Sequence, residues 1–288
     1  MGKKAKKSRE GVCKLTKQIG RFVDSHLLPK ALTKAEGLGP GLIQIGNGYR
    51  EKRSSSWYDP QLVISEGEKI LAGYDDWAIR ILRKHAMVWS GWGPRLSLSD
   101  YQPIPRTPWG IRSVSGDDWK RLRLFFLSLL WRAAATDRSE FSEIVIPSDH
   151  LERLRLMVLN DNPEPIDFYA ISLTQLSTIG IKHNHTPIAF TKTIPPLEQG
   201  FSATEEPTFR FYLDGLIIHY SRLSIEQNNA RNLGPLVVGA SNTITLSTVE
   251  FESSAQAENL AIVEMEAELG RPLFEIPHGP FSSERKIF

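Results

Sequence analysis

Arg21-Phe22-Val23-Asp24-Ser25-His26-Leu27-Leu28-Pro29 is the stretch on which the reading of this chain turns. Arg21 to Ser25 has the character of a short strand, and a histidine stands at its end. Pro29 stops it from continuing as a central strand. Asp24 lies two residues before His26, so in an extended chain it shares that face. Upstream, Cys13 to Thr16 leads into the strand through a turn at Gln18-Ile19-Gly20. Residues 1–10 are charged, small and aperiodic, which predicts disorder. Downstream, 30–36 suits one or two helical turns and 37–41 a glycine-rich loop. Leu42 to Arg53 predicts a second strand around the turn signal Gly46-Asn47-Gly48. After a loop at 54–60, residues 66–87 read as helix, with a break near Gly73. Ile70, Leu71, Trp77, Ile79, Ile81 and Leu82 supply its apolar faces.

The 288 residues are 41% hydrophobic and 24% charged, the balance of an ordinary globular protein. Cys13 is the only cysteine, which excludes an internal disulfide and any zinc site built on several thiolates. A reducing, cytoplasmic setting fits that usage. No secretory signal is visible, and the most apolar run, Leu124 to Ala135, is interrupted by Arg132 and is too short to span a bilayer. No membrane association is therefore expected. The net charge is only +2, but residues 1–53 hold 13 Lys/Arg against 4 Asp/Glu. A basic amino-terminal part suits a polyanion such as nucleic acid, and equally a solvated tail that aids solubility. Asn242 to Leu269 carries six glutamates and no lysine or arginine.

The remaining pattern predicts an α+β protein. The Pro- and Gly-rich connection from Trp89 to Gly110 is the best domain boundary. Ser115 to Thr136 predicts a buried helix, capped by Ser115 with Asp118 three residues on, that serves as the central packing element. A strand at 141–146 and a helix opened by Ser148 follow. Beyond 165 the periodicity shifts toward two, with strands at 168–173, 188–193, 209–220 and 242–251. Leu213-Asp214-Gly215-Leu216 is a hairpin signal. Ser253 or Ser254 opens a last helix to Leu269. The expected organisation is a basic tail (1–10), a strand-and-helix module (11–92), a helical core region (93–165) and a β-rich accessory region with a terminal helix (166–288).

Three pieces in the first module, Cys13-Lys14-Leu15-Thr16, Ser25-His26-Leu27-Leu28-Pro29 and Leu62-Val63-Ile64-Ser65-Glu66-Gly67-Glu68, occur in a telling order. In that order and spacing the segment resembles HNH-type (His-Me finger) nucleases. The nearest branch has a motif that runs Cys-x-x-Cys, Ser-His-Ile-Ile-Pro, Leu-Cys-x-x-Cys-Glu. The likeness covers about a fifth of the chain. It implies a ββα module in which His26 is the general base that takes a proton from water. A divalent metal, Mg²⁺ or Mn²⁺, would stabilise the phosphate and the leaving oxygen. Asn47, by its place in the intervening loop, would orient the imidazole. Glu68 is the candidate metal ligand, and Asp24 a second. Three of the family's four zinc cysteines are here Thr16, Ile64 and Gly67. No structural zinc is expected, and Phe22, Ile64 and Leu71 would hold the module by apolar packing. The residue before the histidine is Ser25, where active relatives often carry a metal-binding Asp or His.

The resemblance implies an endonuclease hydrolysing phosphodiester bonds in nucleic acid, DNA rather than RNA, in a bacterial or phage-related setting such as defence. The alternative is a catalytically inactive relative of the fold that binds nucleic acid or scaffolds a complex. A protein partner would then engage the carboxy-terminal region through its acidic last helix. Other clusters stay open. His183-Asn184-His185 is a metal pair or a polar loop. Asp75-Asp76 is helix-start chemistry or a metal site. Arg121, Arg123, Arg153 and Arg155 are expected to be solvated or paired with the acidic carboxy-terminal half. Trp57, Tyr58, Trp89 and Trp92 either stack on bases or fill the core.

Overall fold

The computed structural model describes residues 10–33, 42–46, 49–53, 56–194, 204–269 and 286–287. In chain order the amino-terminal elements are β1 (Glu10–Val12), β2 (Ile19–Arg21), β3 (Ser25–His26), α1 (Lys30–Thr33), β4 (Leu42–Gly46), β5 (Tyr49–Arg53), β6 (Tyr58–Asp59) and α2 (Ser65–Lys84). There follow β7 (Gln102–Pro103), β8 (Trp109–Ser115), α3 (Trp119–Ala135), α4 (Ser148–Leu159), β9 (Ile171–Leu176), β10 (His183–His185) and β11 (Ile188–Ile194). The chain ends in β12 (Thr204–Leu213), β13 (Leu216–Ser221), α5 (Ile225–Arg231), β14 (Thr243–Val249), α6 (Ala255–Leu269) and β15 (Lys286–Ile287). The α+β class expected from the sequence is the class observed.

The dominant sheet has eight strands in the order β15-β11-β12-β13-β9-β14-β8-β7. It is mixed: β14 runs parallel to β9 and β15 parallel to β11, while the other neighbours are antiparallel. Its inner face carries Ile171, Leu173, Phe209, Phe211, Ile218 and Tyr220, all in the main core with α3. The alternation that puts them on one side is the two-residue period of a strand. Tyr220 donates its hydroxyl to the carbonyl of Phe126 (2.8 Å), which satisfies that polar atom inside the core.

The helix expected to be central is central. From Trp119 to Ala135 all but Lys120, Arg121 and Ala134 are buried. Each of Phe125, Phe126, Leu129, Leu130 and Trp131 contributes roughly 1.5–3 kcal/mol by leaving water. Its cap differs from expectation: Asp118, not Ser115, accepts from the Arg121 N–H (3.0 Å), because Ser115 is the last residue of β8. The Pro- and Gly-rich stretch read as a boundary supplies β7 and the first residues of β8. β7 and β8 join the same sheet as β14, and one core runs from Cys13 to Leu246. The strand expected at 141–146 is a single 3-10 turn at Ser139–Phe141, continued by a turn at 142–143 and then by chain that is neither helix nor strand. The helix α2 runs unbroken through Gly73, whose missing side chain faces open space.

The Asp214-Gly215 hairpin forms as read, with φ of 49° and 86°, the paired left-handed conformations of a tight two-residue turn. Its tip is plugged into the next layer. Asp214 accepts from the backbone N–H groups of Trp89 (2.8 Å) and Ser90 (2.9 Å). A Cβ on Gly215 would lie 2.6 Å from the Trp89 indole. Gly215→Ala should therefore cost about 2 kcal/mol or more, from positive φ and overpacking together. Urea unfolding measures it, and a loss under about 0.5 kcal/mol would mean the tip is not held against Trp89.

Candidate functional site

The module around His26 is built from short pieces. Cys13 to Gln18 closes a tight knuckle: Cys13 N–H donates to Gln18 O (2.8 Å) and Lys17 N–H to Cys13 O (2.9 Å). Thr16 N–H points at the buried Cys13 sulfur (3.3 Å). A Cβ on Gly67 would stand 3.0 Å from that sulfur. Phe22 bridges to Ile64, and Ile64 also covers Gly20. Leu71 lies in the same core. The positions compared with zinc cysteines thus lie beside one another, filled by hydrocarbon and one thiol.

From this knuckle β3 runs out and pairs antiparallel with β6, His26 opposite Tyr58 and Ser25 opposite Asp59. Helix α2 begins six residues after β6, so two short strands and a helix follow around His26. Beyond His26, Leu27 N–H donates to Trp57 O (3.0 Å) and Ser56 Oγ to Leu28 O (3.1 Å). These contacts hold the strand end after Pro29 has ended the ladder.

The histidine ring is half-buried and has no hydrogen-bond partner among the described residues. Its pKa lies below the usual 6.5, first because burial disfavours the charged ring and then because Lys30 and Arg132 repel a proton. Glu68 and Asp75 pull the other way, Glu68 more strongly. Glu68 sits in the first turn of α2, half-buried, and its Oε2 is buried without a partner among the described residues. A buried carboxylate oxygen with no donor is costly unless a cation or proton meets it.

The structure therefore brings His26 and Glu68 into one electrostatic neighbourhood. Asp24 is exposed, and it is not among the charges that act on the ring. Asn47 lies outside the described residues. No group of three or more His, Cys, Asp or Glu side chains with metal-binding placement occurs among the described residues.

Two participants were not singled out for this site from sequence. Arg132, 1% exposed, reaches from α3 and donates to His26 O (3.2 Å), Leu71 O (3.4 Å), Ser128 Oγ (3.2 Å) and both oxygens of Asp75 (2.7 and 2.9 Å). Asp75 is not at a helix start, as one reading had it, but halfway along α2. The signal was present: an arginine inside an otherwise apolar helix must find a buried partner, and an acid one helix away is the natural one.

Other sequence candidates resolve differently. His183 is buried, stacked on Tyr212 at 4.5 Å, and its Nδ1 donates to Ile181 O (2.7 Å). Burial holds its pKa down to about 4. Asn184 donates to Thr33 O (2.9 Å), and β10 pairs in parallel with β4 in a three-stranded sheet, β10-β4-β5, separate from the large one. Trp57, Trp89 and Trp92 are core residues and only Tyr58 is exposed. Arg123 and Arg155 are not solvated. Arg123 feeds the carbonyls of Pro163, Pro165, Phe168 and Tyr169, and Arg155 that of Leu15. Among the described residues no helix is long and apolar enough to cross a membrane.

Arg132→Leu should cost about 3–5 kcal/mol in urea unfolding, since the half-buried Asp75 is left unpaired and the carbonyls of His26 and Leu71 lose their donor. A loss below about 1 kcal/mol would show that the guanidinium does not tie these elements together. By NMR, His26 should titrate below 6.5, and Glu68→Gln should lower its midpoint further; an unchanged or raised midpoint separates the two groups. Because its folded pKa is depressed, the unfolded state binds the proton more tightly. The His26 contribution to stability is complete above about pH 6.5 and is lost as pH falls through the folded value.

No family model, no curated protein and no solved structure matches the chain.

Proposed function

We propose that this protein is a metal-dependent nuclease of the HNH-like kind, hydrolysing phosphodiester bonds in DNA, with His26 as general base. One observation carries the reading. A half-buried histidine with no hydrogen-bond partner among the described residues stands at a strand end, within the field of Glu68, whose Oε2 is buried and unpartnered. A ring with a depressed pKa is neutral at pH 7 and can accept a proton from water. Lys30, exposed and four residues on, supplies positive charge beside the ring, where a phosphate would sit. Arg132 acts at one remove, fixing the His26 carbonyl and hence the strand end. Glu68 would hold the divalent ion, which when bound supplies charge neutralisation at the phosphate.

A second reading, a binding or scaffolding relative of the same fold without catalysis, is favoured by Asp75. Both its oxygens are committed to Arg132, so it offers no ready position to a metal.

The test is nicking of supercoiled plasmid with Mg²⁺ or Mn²⁺. Wild type should cleave, and His26→Ala and Glu68→Gln should each lose about 10²–10⁴-fold. The rate should fall as pH drops through a midpoint below 6.5. Equal cleavage by wild type and His26→Ala removes the histidine from the mechanism. Salt-sensitive DNA binding with no cleavage in either metal establishes the second reading.

A further inference from the structure

The outward side of the β3–β6 ribbon carries a second residue, which the chemistry of His26 leaves unused. His26 is paired directly with Tyr58, and Ser25 with Asp59. The two-residue period of a strand sends both members of a pair to one side. Ser25 and Asp59 go inward, at 0% and 6% exposure, so His26 and Tyr58 go outward together. The next pair along is joined by a backbone bond, from Leu27 N–H to Trp57 O (3.0 Å). Bonded and unbonded pairs alternate in an antiparallel ladder, and the unbonded pairs bring their side chains closer. His26 and Tyr58 form an unbonded pair. Register alone therefore stands the phenol ring beside the imidazole.

Tyr58 is held at its root and free at its ring. Its carbonyl accepts from Arg138 (2.8 Å). On one side Asp59 is tied to Thr136 Oγ1 (2.6 Å) and to the Gln61 N–H (2.8 Å). On the other, Trp57 is buried and meets Phe141 edge-on at 5.9 Å. Yet Tyr58 is 43% exposed, and its side chain has no hydrogen bond or ring contact among the described residues. An exposed aromatic residue is ordinary by itself. This one is distinguished by a fixed backbone and by the histidine it is paired with.

A phosphodiester seated at His26 brings the adjoining nucleotide to the same side of the ribbon. A base can lie on a protein ring only when it has left its own stack, and in a duplex both faces of each base are covered. We propose that Tyr58 is the stacking platform for the base next to that phosphate, and that the site takes single-stranded rather than duplex DNA. The inference rests on the reading of the His26 site as one for DNA, and it names the form of DNA. Supercoiled plasmid, which opens locally under torsion, meets the requirement.

The experiment is fluorescence titration of a short oligothymidylate carrying one central 2-aminopurine with the full chain, in excess EDTA so that no hydrolysis intervenes. Saturable binding is expected, with quenching of the 2-aminopurine as it stacks. Tyr58→Leu keeps apolar bulk but removes the aromatic face. It should weaken binding roughly 5–150-fold, the weight of one stacked base, and abolish the quenching. Tyr58→Phe should keep both. The same strand annealed to its complement should bind more weakly, and equally to wild type and Tyr58→Leu. Tyr58→Gln is a second variant without the ring, and both replace an exposed side chain, so folded protein is expected. No saturable binding of the single strand by wild type, binding and quenching unaltered in these variants, or a duplex held as tightly as the single strand overturns the proposal. Plasmid left intact by wild type while the stacking signal persists removes the nuclease reading and leaves this inference standing. Nicking by wild type, with single-strand binding indifferent to Tyr58, does the reverse.

Discussion

The buried guanidinium of Arg132 is the constraint on which the amino-terminal half rests. It joins three elements that share no backbone hydrogen bonds: the end of β3, the middle of α2 and the carboxy-terminal part of α3. In the placement these three pieces adopt, both terminal nitrogens of this buried charge are met, while its Nε is buried with no hydrogen-bond partner among the described residues. Around it stand further ties of the same kind. Lys14 donates to Ala135 O, one of the carbonyls that α3 leaves open at its end, and Arg155 donates to Leu15 O. Thr136 and Arg138 hold β6 through Asp59 and the Tyr58 carbonyl. The small module is thus clamped onto the end of the central helix, which does for it what a metal does in zinc-built knuckles.

The large sheet shows the opposite economy on its two faces. The inner face packs hydrocarbon against α3, with Gln175 and Thr248 buried on the same side of β9 and β14. The outer face is split, with one part closed by a second apolar cluster of Trp89, Trp92, Tyr212, Ile217, Phe251 and Leu260. The other part holds Arg210, His219, Lys192 and Ser172. Strand alternation alone produces this division, since each β12 residue that faces α3 is flanked by one that faces away. The 204–213 segment is therefore both a core strand and the carrier of a buried charge.

Much of the fold was legible. The 3.6-residue apolar pattern of 119–135, the Asp-Gly turn and the alternating carboxy-terminal strands all carry local physics that survives folding. Less legible were elements whose state depends on partners. Ser115 looks like a cap but is claimed by β8, because pairing with Thr243 outweighs a side-chain bond. Residues 141–146 look like a strand but find no neighbour to pair with in the sheet. Of the candidate site, Glu68 acts on the His26 ring while Asp24 does not, and Asp75 and Arg132 enter from helices whose contact no short-range pattern encodes.

Composition, periodicity and turn chemistry determined the class of this protein, its central helix, its hairpin and the position of a histidine at a strand end, because each depends on neighbours within a few residues. Tertiary structure decided which buried charges meet. Arg132 with Asp75, and Arg210 with no acid among the described residues, differ only in what distant segments bring alongside, and the electrostatic field of a site is a property of that assembly.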